Sequence, residues 1–347
     1  MTVTTAPTQP SAAHLRRSAA VRSAWLLVAV VALLGACVLS VSFGVRAVSV
    51  DDILAALGGA TETVGEAAIA KRVPRTVLAI LVGAALAMSG ASMQAVTRNP
   101  IADPGILGVT TGASLAVVLG LVFFGIDDAW VYMAFAIVGA MVAAVFVYTV
   151  GSLGRGGATP LKLALAGAAT SAAFSSLISA IMLPRVNMLT SIQSWQIGGV
   201  GGAEWSRIAV LVPVVGVGAA LCLLSARGMN SLALGDDLAA GLGEHVMRTR
   251  IVSAIGAVVL AGAATAIAGP IGFVGLVIPH ICRLLIGTDY RWLLPFSAVA
   301  GALLLTASDV IGRLVLHAEE LQVGIVTAVV GAPFFIWIVR RQRVREL

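Results

Sequence analysis

IVSAIGAVVLAGAATAIAGPIGFVGLVIPHICRLLIG, residues 251–287, is the stretch on which the reading of the whole chain turns. It holds no acidic residue and is too long for one membrane crossing, which needs about 20 mostly apolar residues. Gly269-Pro270 divides it. Residues 251–269 then read as one crossing, and 271–287, with Pro279, His280 and Arg283, as a second and shorter one. The alternative is one crossing followed by a re-entrant piece. The chain termini separate the two readings. Arg16, Arg17 and Arg22 precede the first apolar run, and Arg340, Arg341, Arg343 and Arg345 follow the last. Basic segments stay on the cytoplasmic side. Two inner termini require an even number of crossings, so ten is favoured over nine.

Working outward, the other crossings are expected at 25–44, 74–96, 105–125, 130–150, 160–183, 206–225, 293–315 and 324–340. Composition supports them. Only 11% of residues are charged, against about 25% in a soluble domain, so water does not solvate most of this surface. Mean hydropathy is +1.02. The expected fold is an all-α polytopic membrane protein, with the lipid bilayer as its solvent. The net charge of +6 is spread between apolar runs rather than gathered on one face, which argues against a nucleic-acid partner. Residues 1–24 read as a disordered cytoplasmic tail, and 25–347 as one membrane domain. The run after Arg22 could be a signal peptide, since Leu34-Gly35-Ala36-Cys37 resembles a cleavage box. The many crossings that follow favour a retained first helix.

Three polar segments exceed simple turns. Residues 45–73 are expected outside. Residues 184–205 hold Trp195 and Trp205, which suit an interfacial helix. Residues 226–250 are expected inside, with Leu232, Leu234, Leu238 and Leu242 spaced between acids; they read as two short helices broken at Gly235 and Gly241.

The chain lacks the machinery of an enzyme. It has no GxxxxGK[ST] loop, since Lys71 follows Ala70 and Lys162 follows Leu161. It has no HExxH, and Cys37, Cys222 and Cys282 have no metal-ligand spacing. Energy for any work therefore comes from a partner or an ion gradient. An ion-coupled carrier would want carboxylates near the middle of the membrane. Asp309 and Arg313, four residues apart on one helix face, read better as a local pair.

Several local strings are more specific. They are Arg72-Val73-Pro74-Arg75-Thr76, Asn99-Pro100-Ile101-Ala102-Asp103-Pro104, Met229-Asn230-Ser231-Leu232-Ala233-Leu234-Gly235, Phe273-Val274-Gly275-Leu276-Val277-Ile278-Pro279-His280 and Gly331-Ala332-Pro333-Phe334-Phe335. In this order the chain resembles the FecCD-type permeases, the membrane subunits of ABC importers for iron-siderophores, haem and vitamin B12. The resemblance implies a ten-helix permease of type II importer architecture in a bacterial inner membrane, both termini cytoplasmic. It implies a second permease chain, identical or related, and two ATPase subunits that bind ATP and Mg, this chain binding no cofactor or metal. It implies an extracytoplasmic binding protein that delivers the cargo.

Site residues follow from the same resemblance. Residues 226–246 would be the coupling helices, with Met229, Asn230, Leu232, Leu234, Gly235, Asp237, Leu242 and Gly243 toward the ATPase. Thr159 is the candidate for a cytoplasmic gate; its plainer reading is a helix cap before Pro160. Arg72, Arg75 and Arg313 are the candidates for docking the binding protein, because the expected outer face is otherwise acidic and Arg pairs with carboxylates in a planar fork. One departure is Gln322, which stands where the family usually has proline. The expected function is the permease of a ferric-siderophore importer. Haem or cobalamin import is the alternative within the family, and ion-coupled transport the alternative outside it.

Overall fold

The computed structural model describes residues 18–44, 48–154, 157–315 and 320–341. The tail arginines Arg16 and Arg17, Arg155 and Gly156 of the turn before Thr159, and the C-terminal Arg343 and Arg345 lie outside the described residues. Helix is the only regular structure among the described residues.

Each of the ten expected crossings falls on a helix. The chain runs through α1 (Ala19–Ser42), α2 (Val50–Leu57), α3 (Val64–Thr97), α4 (Val109–Leu119, continued by a π turn over Gly120–Phe124), α5 (Ala129–Ser152), α6 (Pro160–Met182) and α7 (Val186–Ile197). It continues through α8 (Trp205–Leu224), α9 (Ala226–Leu232), α10 (Asp236–Gly241), α11 (Val246–Ala268), α12 (Val274–Ile286), α13 (Tyr290–Val315) and α14 (Val323–Arg341). Among the described residues, α1, α3, α5, α6, α8, α11 and α13 are long and apolar enough to cross a bilayer; α4 with its π turn, α12 and α14 are shorter apolar helices. The decisive 251–287 stretch is two helices, α11 and α12, parted at 269–273.

Local chemistry moves three boundaries. The Ser18 hydroxyl accepts from the Val21 amide, so α1 starts six residues before its apolar run, inside the segment expected to be tail. Thr63 and Glu66 form a reciprocal capping box, which starts α3 ten residues before the expected crossing and carries it through Pro74. Asp103 and a left-handed Gly108 hold 98–108 in turns, delaying α4.

α3 is the axis of the bundle. It packs on α13, α11, α12 and α8, and is buried almost throughout its second half. Lipid offers no hydrophobic drive for helix association, so close backbone approach and polar contacts carry it. Gly83 of α3 lies against the Gly301 backbone of α13, and Gly90 against Gly275 of α12, each leaving no room for a Cβ. The Ser89 hydroxyl donates to the Ala257 carbonyl of α11 at 2.6 Å, and the Gln94 amide donates to the Gly275 carbonyl at 3.1 Å. The helices around this axis show large apolar side chains outward, among them Leu27, Val31 and Leu34 on α1 and Val138, Val142 and Val145 on α5. That outer face suits lipid.

Candidate functional site

Two polar constellations close the two ends of the bundle. At the end where α1 finishes, the last carbonyls of α1 lack intrahelical partners, as at any helix C-terminus. Arg313 of α13 donates to the Ser40 and Phe43 carbonyls at 2.9 and 3.1 Å and to the Ser40 hydroxyl at 2.7 Å. Arg72 of α3 donates to the Val41 and Ser42 carbonyls at 3.1 and 3.2 Å. Both cations thus complement the negative end of the α1 dipole. Asp309, fully buried, pairs with Arg313 at 3.0 Å and with Arg75 at 2.8 Å. Arg75 also reaches Glu320, ahead of α14, at 2.5 Å. The expected Asp309–Arg313 pair is therefore present, within a larger cluster.

The three arginines expected as a displayed docking row are not free charges on an open face. Arg72 and Arg313 are buried, with guanidinium groups committed to the end of α1. Arg75 reaches an exposed partner, Glu320. The sequence did not announce this, because the partners are far along the chain: 30 and 31 residues for Arg72, and more than 200 for Arg75 and for Arg313 at the end of α1. Gln322 also has a place here. A Cβ on Gly199 would overlap its side-chain oxygen, and the Gly324 amide donates to the Gly198 carbonyl at 2.9 Å, so the α7–α8 and α13–α14 connections lie in direct contact.

At the other end, where α1 starts, the segment expected to form two short helices does so as α9 and α10, broken at Gly235. The proposed coupling residues divide into two groups. Met229 and Leu232 are fully buried where α9 packs on α13, α11 and α3. The Asn230 side-chain amide donates to Asp289 at 2.7 Å, and its oxygen accepts from the Tyr290 amide at 2.9 Å, fixing α9 to the start of α13. Arg22 of α1 reaches Asp289 at 3.4 Å. Burial would raise the Asp289 pKa, but the hydrogen bonds from Arg291 and Asn230 outweigh it and hold the carboxyl below its ordinary range. Leu234, Asp237, Leu242 and Gly243 are exposed and Gly235 is half-buried. With Leu238 they give a displayed edge: Leu234 is 56% exposed, Leu238 63% and Leu242 69%. Single exposed apolar residues are ordinary, but three on one short polar segment make it a candidate contact surface.

Sequence reading missed Asp289 and Asp236, both of which bind arginines here. Their signal would have been an acid beside a helix start; nothing in the string names the partner. Thr159 caps α6, its hydroxyl accepting from the Lys162 amide at 3.3 Å, with Pro160 at the first helical position. The plainer reading of Thr159 is thus present in the geometry. Among the described residues, no group of His, Cys, Asp and Glu is arranged to hold a metal ion.

A helical bundle with a lipid-facing exterior and a short broken-helix segment displaying leucines at one end is the form of a membrane transport subunit. The FecCD transport family model matches residues 30–341, and the chain belongs to that family, a family of ABC-importer permeases. It is 46% identical over 272 residues to the iron(3+)-hydroxamate import system permease protein FhuB of Bacillus subtilis strain 168, covering 78% of this chain and 71% of the relative. It is 42% identical over 306 residues to the ferric enterobactin transport system permease protein FepD of Escherichia coli K12, covering 88% of this chain and 91% of the relative. A solved structure of a metal-chelate type ABC transporter in an inward-facing conformation superposes with a TM-score of 0.78 at 27% identity, covering 92% of this chain and 99% of that one.

Proposed function

We propose that this chain forms the translocation pathway for a ferric siderophore, received from an extracytoplasmic binding protein and driven by ATP on separate subunits. The observation that carries the cargo is the relatedness to permeases named for ferric hydroxamate and ferric enterobactin import. Iron is the substrate here, not a resident cofactor. In this reading α9 and α10 face the cytoplasm, ten helices cross, and both termini are inside. The buried half of the coupling set, Met229, Asn230 and Leu232, holds α9 to the bundle. The displayed half, Leu234, Gly235, Asp237, Leu242 and Gly243, meets the ATPase, whose subunits carry ATP and Mg.

A second permease chain completes the pathway. α6 supports this: among the described residues its main neighbours are α4, α5 and α7, and its exposed residues include Ala168, Ala172, Ser175, Ser176 and Ser179 beside Leu161, Leu165 and Leu177. Small and hydroxylic residues suit a protein or water neighbour better than lipid. Thr159 stands at the cytoplasmic start of that helix, so a gate there would move with the turn it caps. At the outer end, the binding protein docks over the Arg72, Arg75 and Arg313 cluster. Arg72 and Arg313 hold the end of α1 in place. Arg75 exchanges Glu320 for a carboxylate of the binding protein.

The test is uptake by the chain reconstituted with its ATPase and binding protein, using radiolabelled iron as ferrioxamine and as ferric enterobactin, against haemin and cobalamin. Saturable uptake of one ferric siderophore, uncompeted by haemin or cobalamin, is expected. Uptake of haemin or cobalamin alone would give the cargo to the other branch of the family.

A further inference from the structure

We propose that Asp236 is the charged tether that carries movement of the coupling segment into the transport core, and is not part of the surface the ATPase grips. This rests on the reading of α9 and α10 as the ATPase contact.

α10 is weakly anchored by packing. It is one short helix with Ala239 as its only buried residue, and its neighbours are α9 and α11. It joins α9 through Gly235 at φ 112° and ψ 154°, a conformation open to glycine and strained for other residues. No atom beyond its chain neighbours lies within 4 Å of where a Gly235 Cβ would stand, so that side of the joint is open. The firm seating of α9 therefore does not fix the direction of α10.

Asp236, the first residue of α10, supplies what packing does not. Its Oδ1 accepts from Arg250 of α11 at 2.9 Å and from Arg98 at the end of α3. α3 and α11 are the two most buried long helices of the bundle. One carboxylate thus ties the hinged, displayed segment to the ends of both central helices. Arg98 adds an independent sign. It sits at φ 51°, and only Arg98 and Phe273 among the described non-glycine residues take a positive φ. Such a backbone persists where its surroundings hold it, and it clusters at sites that move or bind. The strained Arg98 is the one whose guanidinium meets Asp236. All three side chains are partly exposed, so the pairs add little to stability. What they fix is direction: a push on α10 reaches the inner ends of α3 and α11 together.

The experiment uses the full transporter in proteoliposomes, with ATP hydrolysis and uptake of radiolabelled ferrioxamine measured on the same vesicles. In Asp236→Asn the complex assembles and hydrolysis stays within about twofold, while ferrioxamine imported per ATP falls by about tenfold, the scale of a lost coupling contact. Asp236→Glu recovers most of that loss. Arg98→Gly separates tether from fold, because glycine relieves the positive φ while removing the guanidinium. Its thermal midpoint is expected to hold or rise while import per ATP falls as in Asp236→Asn. Wild-type import per ATP in Asp236→Asn or in Arg98→Gly would overturn the tether. Loss of the ATPase from purified Asp236→Asn would also overturn it, by placing Asp236 in the gripped surface. A wild-type chain that binds no ATPase would instead overturn the functional reading beneath it.

Discussion

Single carboxylates carry much of the order at both ends of the bundle. Asp309 is fully buried between Arg75 and Arg313, and Arg313 in turn holds the end of α1. Removing one partner from a buried ion pair strands the others and costs about 3–5 kcal/mol. Asp309→Ala is therefore expected to lower the thermal midpoint in detergent markedly, whereas Glu204→Ala, whose pair with Arg207 is exposed, should leave it nearly unchanged. Equal midpoints for the two variants would contradict the buried cluster. Asp103, in the turns before α4, makes a pH prediction. Burial pushes its pKa up to about 6, against hydrogen bonds from the Gly105 and Ile106 amides that lower it. The folded state thus holds the proton more tightly than the unfolded chain. Its contribution is full below the ordinary value of 3.8 and is lost as pH rises through about 6. Asp103→Asn should flatten the midpoint between pH 4 and 7, gaining on the wild type toward pH 7 by about 3 kcal/mol at most. A parallel pH profile for the two proteins would show that Asp103 does not titrate in this window. Of these partnerships only one was legible in the string. Asp309–Arg313 was, because helix spacing alone puts them together; Arg75–Asp309 spans 234 residues and only the fold joins it.

At the scale of the element, the apolar runs were legible and their ends were not. α3 was read from Pro74 onward, because Glu66, Lys71 and Arg72 break its apolar pattern, although it starts at Val64. Arg72 belongs with Arg75 to the end cluster, so a charge that hid the start of the helix also holds the end of α1. The α9–α10 pair was legible from its leucines and Gly235; which leucine points in and which out was not, since both faces carry them. Leu232 is buried and Leu234, Leu238 and Leu242 are not. Leu238→Glu should consequently leave folding intact and cut ATPase co-purification by about tenfold, as loss of an interface anchor does. Undiminished co-purification in a Leu234→Glu, Leu238→Glu double variant would remove this edge from the contact. The glycine contacts of α3 give a complementary expectation. Gly90→Val forces α3 off Gly275 and should cost about 1–3 kcal/mol or more by overpacking. Gly216→Ala in α8, where a Cβ meets nothing within 4 Å, should be neutral or slightly stabilising. Equal thermal midpoints would contradict the close crossing.

For the whole molecule, the class follows from an exterior made for lipid and an interior made of small residues and backbone contacts. In the proposed reading the direction of transport follows from which end meets the ATPase, and α9–α10 would mark that end. Ion-coupled transport predicts a different energy source from the same bundle. The most direct measurement is uptake of radiolabelled ferrioxamine into proteoliposomes containing this chain with its ATPase and binding protein, ATP being supplied only on the α9–α10 side and a protonophore present throughout. ATP-driven transport predicts accumulation that requires ATP on that side, moves substrate toward it, and is indifferent to the protonophore. Accumulation without nucleotide that collapses when the protonophore is added would contradict it.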